Sequence, residues 1–161
     1  MTSDLSNVSI ADLELNETQE LIRRDRMIAM RDLGHHSVFK PVKDPENGPY
    51  DLSLSVEEAR LVFRMKNVKG EDLPMLVLSL KPYRRLIKDY FMIVRSYDEA
   101  MREGKPSRIE AIDMGRRGLH NEGAEALQER LADKIEMDFD TSRRLFTLIC
   151  VLHAQNLAMW R

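Results

Sequence analysis

Between residues 50 and 80 the apolar residues recur at every second position, and from residue 83 onward at every third or fourth. Tyr50, Leu52 and Leu54 alternate with Asp51, Ser53 and Ser55. Leu61, Phe63 and Met65 alternate with Val62, Arg64 and Lys66, and Met75 to Leu80 is a third, more apolar run. A period of two sends successive side chains to opposite faces of a strand, so each run offers one face for burial. Short turns at Val56-Glu57-Glu58-Ala59 and Lys69-Gly70-Glu71-Asp72 join the runs, so the segment reads as an antiparallel three-stranded meander. One face of such a meander must be covered by other elements.

The cover comes from both directions. Val8, Ile10, Leu13 and Leu15 suggest a short extended segment, which allows a fourth, N-terminal strand. Asn16 and Gln19 resemble a capping box. Leu21, Ile22, Ile28, Ala29 and Leu33 then mark one stripe of a helix to about Leu33, with Gly34 as its stop. Pro41, Pro45, Gly48 and Pro49 read as a loop. After Pro82, the spacing of Tyr83, Ile87, Tyr90, Val94, Tyr97 and Met101 predicts a helix ending near Gly104. Ser107 with Glu110 reads as a capping box for the next helix, which Gly115 and Gly118 should end or bend. Ala124, Leu127, Leu131 and Ile135 form a further stripe. Asp140 or Thr141 caps a last helix to about Ala158, apolar on most sides and therefore central. The fold class is α+β over residues 1–161 as one domain. Residues 1–6 are expected to be frayed and 154–161 a tail. The meander is packed by an N-terminal helix and a C-terminal bundle of three to four helices.

Charge and cysteine content narrow the function classes. Twenty-five Lys and Arg face 27 Asp and Glu, a formal net charge of −2, which disfavours nucleic-acid binding. A single cysteine, Cys150, excludes an internal disulfide and suits a reducing compartment. The N-terminus has no basic and apolar regions of a signal peptide, and the longest nearly apolar run, Leu145 to Leu152, is far shorter than a membrane span. A cytoplasmic protein without a membrane partner is expected.

Ionisable groups are densest in the run Ile109 to Gly123, which holds Gly115, Arg116, Arg117, Gly118, His120 and Gly123. Arginine forks suit phosphate or carboxylate oxygens, and glycines let a backbone approach a ligand. A histidine such as His120 could titrate near neutral pH, and Asp113 and Glu122 could orient it, so the run reads as an anion site with potential acid–base chemistry. The plainer reading is a helix end, a turn and a new helix near Asn121, with the arginines paired to Asp113, Glu110 or Glu122. Gly118 and Gly123 have the glycine spacing of a P-loop, but Ala124 and Glu125 stand where Lys and Ser/Thr are required.

Two further doublets, Arg84-Arg85 and Arg143-Arg144, sit at predicted helix starts, where cations oppose the helix dipole. Pairing with the acidic segment 133–140 would offset the first, and Asp138 and Asp140 the second. Cys150 with His153 reads as an inert buried thiol beside a core-edge histidine, and His35-His36 as a solvated helix end. No metal or cofactor motif is present.

A set of motifs resembles a known family. These are Phe39-Lys40-Pro41-Val42, Gly48-Pro49-Tyr50, Arg60-Leu61-Val62-Phe63, Leu78-Ser79-Leu80 leading to Tyr83-Arg84-Arg85, Lys88-Asp89-Tyr90-Phe91-Met92, Pro106-Ser107 and Ile109 to Gly123. Lys134 to Asp140, Arg143 to Leu148 and Val151-Leu152-His153 complete the set. Together they resemble the uncharacterised protein family numbered 0262 of alphaproteobacteria, over roughly residues 21 to 153. The resemblance implies a compact cytosolic bacterial protein and assigns no activity, catalytic residue, cofactor or partner.

The first functional reading is therefore a non-enzymatic module that binds a protein partner or a small anionic ligand. Its candidate binding residues are Arg84, Arg85, Arg116, Arg117, Arg143 and Arg144. The alternative is a small enzyme acting on a phosphorylated or carboxylated substrate, with His120, Asp113 and Glu122 moving a proton. A homo-oligomer stays open. The question for the structure is whether the three doublets meet.

Overall fold

The computed structural model describes residues 3–10 and 20–155. The alternating segment forms the expected hairpins. Strand β3 (Tyr50–Glu57) pairs antiparallel with β4 (Arg60–Lys66), and β4 with β5 (Leu76–Ser79). Tyr50, Leu52, Leu54, Leu61, Phe63 and Met65 are buried, as the alternation requires. The sheet has a fourth strand, β1 (Leu5–Ser9), parallel to β3, and its order is β1-β3-β4-β5. It is thus a mixed sheet, and β1 begins within the stretch expected to fray. Its start is held by Leu5 N–H to the Ser37 hydroxyl (3.0 Å) and Tyr50 N–H to the Asp4 carbonyl (2.8 Å). Leu13, Leu15 and the Asn16–Gln19 capping box lie outside the described residues.

Helix α1 (Glu20–His35) makes the crossover that a parallel pair needs. It runs through Gly34 rather than stopping there. Beyond it, β2 (Phe39–Pro41) pairs antiparallel with β6 (Ile135–Met137), joining Phe39 to Met137. Sequence periodicity predicts neither strand and assigns Ile135 to a helical stripe. Three residues are too few for a period of two to show itself.

Helix α2 (Arg84–Glu103) follows a 3-10 turn that contains Pro82, and it ends where Gly104 takes a left-handed conformation (φ 65°). Helix α3 (Pro106–Leu131) corrects the largest expectation: it is one helix of 26 residues through Gly115, Gly118 and Gly123, with no corner. A glycine inside a helix costs only about 1 kcal/mol relative to alanine, which packing overrides. At Gly123 the reason for glycine is plain, because an added Cβ would run into the Phe146 ring. Nor does a Ser107–Glu110 capping box form. Lys105 is the N-cap, without a side-chain bond, and Pro106 fills the first turn.

Helix α4 (Phe139–Leu152) packs against α1 and α3. Its cap is Asp138 rather than Asp140 or Thr141, and the Asp138 carboxylate accepts the Thr141 N–H at 2.8 Å. Residues Leu145 to Leu152 are all buried, so the helix is central as its all-round apolarity predicts. It gives way to a 3-10 turn at His153. Among the described residues, no helix is long and apolar enough to cross a membrane.

Two glycine tests follow. Glu58 and Ala59, which join β3 to β4, both have positive φ (52° and 61°), a conformation that costs non-glycine residues. Ala59→Gly should raise stability by about 0.5–1 kcal/mol in urea unfolding. Gly123→Ala should lower it by about 1–3 kcal/mol, because the core must move away from the new methyl group.

Candidate functional site

Along one face of α1, at intervals of four, lie Leu21, Asp25, Ala29 and Leu33, all buried. A carboxylate on that stripe needs partners, and two neighbouring helices, α2 and α3, supply them. The Tyr90 hydroxyl of α2 donates to Asp25 Oδ2 at 2.8 Å. Arg116 of α3 donates from Nη1 to Asp25 Oδ1 at 2.8 Å. His120 Nε2, also on α3, stands 3.9 Å from Asp25 Oδ2, while its Nδ1 lies 3.3 Å from the Thr147 hydroxyl of α4.

From Asp25 the charges run outward. Arg116 donates through Nε and Nη2 to Asp113 Oδ1, at 3.1 and 2.7 Å, and Arg117 reaches Asp113 Oδ2 at 3.1 Å. Side-chain exposure rises along this path, from 5% at Asp25 through 16% at Arg116 to 66% at Arg117. Arg116 is thus a structural bridge between a core carboxylate and a surface one, whereas most of Arg117 faces solvent.

The environment sets the protonation states. Burial pushes the Tyr90 hydroxyl well above its ordinary pKa, and the Asp25 charge adds to this. Burial lowers the His120 pKa, only partly opposed by Asp25. Burial also works against the charge of Arg116, but Asp25 and Asp113 outweigh it and hold the guanidinium above its usual value. Asp113 is kept below the usual carboxylate range because Arg116 and Arg117 overcome its own partial burial.

Beside this bridge a cleft of about 500 Å³ opens between α1, α2 and α3. Arg24, Arg116 and Arg117 line it with Glu110 and Asp113, and Ile28, Tyr97 and Ile109 give it apolar walls. The Arg24 guanidinium lies over the Tyr97 ring, 5.7 Å from its centre.

The three doublets do not share one pocket. Arg143 and Arg144 lie outside the cleft, yet Arg143 is close enough to Arg116, Arg144 and Arg117 for these to lower its pKa, after burial itself. Arg143 donates to the Asn121 amide oxygen at 2.9 Å, and Arg144 to Asp32 at 3.0 Å. Arg85 is elsewhere, bonded to Glu122 at 2.5 Å and Asp89 at 3.3 Å, rather than to the acidic segment 133–140. The Glu122 side chain is thereby engaged with α2, and Asp113 with the arginines, so neither orients His120. The carboxylate facing His120 is Asp25, 95 positions earlier in the chain. His120 is 1% exposed and does not line the cleft.

Burial raises the Cys150 thiol well above its ordinary pKa, and His153 Nδ1 bonds the Ile149 carbonyl at 2.6 Å, which fits the inert reading of that pair. His35 and His36 are exposed beside each other at the end of α1. Among the described residues, no group of three or more His, Cys, Asp or Glu is placed to hold a metal ion.

Sequence reasoning missed Asp25, Arg24, Tyr90 as a polar group, and Thr147. The readable signal was Asp25 itself, a carboxylate spaced by four from apolar residues on both sides.

Two measurements test this network. Asp25→Ala strands the Arg116 charge in a partly buried site and should cost roughly 3–5 kcal/mol in urea unfolding. The second is the pH response. Because the native-state pKa of His120 is depressed from 6.5, the unfolded chain binds the proton first as pH falls. The stability held by neutral His120 is complete well above pH 6.5 and is lost progressively as pH falls through about 6.5 toward the lower native-state pKa. His120→Gln should flatten the fall in stability between about pH 7.5 and about pH 5.5, leaving the part due to His153, which burial depresses in the same direction.

Comparison with known proteins places these residues in a lineage. The model of a family described as "Uncharacterised protein family (UPF0262)" matches residues 2–155, including the N-terminal stretch that the motifs quoted above leave out. The UPF0262 proteins of Brucella canis and Brucella melitensis are each 51% identical to this chain over 157 residues, covering 95% of it and 98% of the relative. The UPF0262 protein of Brucella anthropi is 50% identical over the same length. No solved structure matches.

Proposed function

The chain belongs to the UPF0262 family, and on that premise we propose that it is a binding module, its ligand a small molecule with a phosphate or carboxylate group, seated in the cleft between α1, α2 and α3. The observation that carries this reading is the gathering of Arg24, Arg116 and Arg117 around one 500 Å³ space with apolar walls. A pocket of that size with few charged groups on an apolar lining suits a small ligand with one anionic end. Arg117 and Arg24 are the groups that hold it. Arg117 is largely exposed, and a guanidinium offers a planar fork to two oxygens at once. Arg116 sets the local potential but has committed Nε and both terminal nitrogens to Asp25 and Asp113.

The alternative of acid–base catalysis by His120 finds less support, because the imidazole is buried and outside the cleft. In the binding reading, Asp25, Tyr90 and His120 serve the wall of the site rather than its contents.

Thermal-shift titration against a panel of phosphorylated and carboxylated metabolites tests the proposal. A ligand at a hundred times its Kd should stabilise the native protein by about 2.7 kcal/mol. Arg117→Ala and Arg24→Ala should each abolish most of that shift while leaving the unliganded melting temperature nearly unchanged. A wild-type shift that both variants retain in full, or no shift with any panel member, would overturn the proposal. Arg116→Ala cannot serve as the control, since it also unpairs Asp25.

A further inference from the structure

On the side of α3 away from the cleft, a second depression of about 460 Å³ runs between α2 and α3. Its floor is apolar, formed by Leu86, Ile93, Ile112 and Leu119, and Gly115 lies along it. Met92 of α2 lines this depression, and it and Met114 of α3, 63% and 66% exposed, are among the most exposed large apolar side chains described. We propose that this face joins two copies of the chain, with the α2–α3 hairpins packed about a two-fold axis and α3 antiparallel to its counterpart.

The shape of α3 suits this occupant. Arg108, Ala111, Gly115, Gly118, Glu122, Glu125 and Glu129 follow one another at spacings of three and four, so they share one helix face, and all are exposed. At its centre the crest is low, because Ala111, Gly115 and Gly118 have almost no side chain. A Cβ added at Gly115 or Gly118 would meet nothing within 4 Å, so the folded chain itself makes no demand for glycine there, in contrast to Gly123. A low crest lets another helix come close and brings the apolar floor within reach of its side chains.

Charge identifies the occupant as a second copy. The face carries Arg108 at its N-terminal end, paired within the chain to Glu103, and Glu125 and Glu129 at the other, while Glu122 between them is held by Arg85. Across a two-fold axis every contact occurs twice with the roles exchanged. The register that sets Gly115 opposite Gly118 also sets Arg108 opposite Glu125, once at each end of the crossing. A parallel arrangement would stack glutamate on glutamate instead. Arg108 contacts Glu103 (2.8 Å) and Glu99 (3.7 Å) in its own chain, and with 42% of its side chain exposed it can extend that network across the axis. The interface leaves the anion cleft open, since Asp113, Arg116 and Arg117 are on another face of α3, so the two proposals stand or fall separately.

Sedimentation velocity on the full chain over a range of concentrations is the test. The expected mass is twice 18.8 kDa at high concentration. Gly118→Gln should weaken the dimer at least about tenfold while raising the monomer's melting temperature, since it adds helix propensity at an open site. Arg108→Glu and Glu125→Arg should each weaken association, and the double variant should recover most of the loss. A wild-type monomer at every concentration, a dimer insensitive to Gly118→Gln, or no recovery in the double variant would overturn the proposal.

Discussion

A carboxylate in the middle of an apolar helix face is the constraint around which the helical half is arranged. Asp25 cannot be buried alone, since removing an ion from water costs several kcal/mol even after relaxation. Tyr90 and Arg116 offset that cost, and each must come from a different helix at the correct height and rotation. The pairing therefore ties α1 to α2 and to α3 at a fixed register. Thr147, beside His120, brings α4 to the same point. Hydrophobic packing alone would tolerate helices that slide by a turn. A directional, charged contact among three of them does not.

The same contact divides the labour between the two arginines of one doublet. Adjacent residues on a helix point about 100° apart, so Arg116 and Arg117 were bound to differ. Arg116 turns inward and is consumed by Asp25 and Asp113. Arg117 turns outward and keeps most of its surface in water. Asp113 sits between them, locking Arg116 by two hydrogen bonds and touching Arg117 once, which leaves the cleft with one rigid cation and two more exposed ones. The charge pattern near the cleft is thus a by-product of satisfying a buried group some distance below it.

Much of the fold was legible because its main elements are long and regular. The hairpins from Tyr50 to Ser79 and the helix ending at Gly104 follow directly from alternation and from a 3.6-residue stripe. What stayed hidden has physical reasons. Strands β2 and β6 are three residues each, too short for a period, and they exist because they find each other across the chain. The glycines of α3 carry turn propensity, but packing on α2 and α4 outweighs about 1 kcal/mol apiece. The candidate site was half visible. Arg116, Arg117 and Asp113 are local in sequence, while Asp25 and Arg24 arrive from a helix whose contacts only the tertiary fold reveals. His120 looked like chemistry because histidine so often titrates, yet its surroundings keep it neutral and dry.

The pairing of Phe39 with Met137 has a consequence for how the molecule comes into being. During synthesis β1, α1 and the hairpins emerge early, but the edge formed by Phe39 to Pro41 has no partner until about a hundred further residues have been made. Val38 waits equally long for the Thr141 hydroxyl that accepts its N–H. Contacts so distant along the chain close large loops and slow the folding step that forms them. The nascent protein thus exposes an unsatisfied strand and the bare faces of α1 until α4 arrives, and the last helix acts as the keystone that commits the whole chain at once.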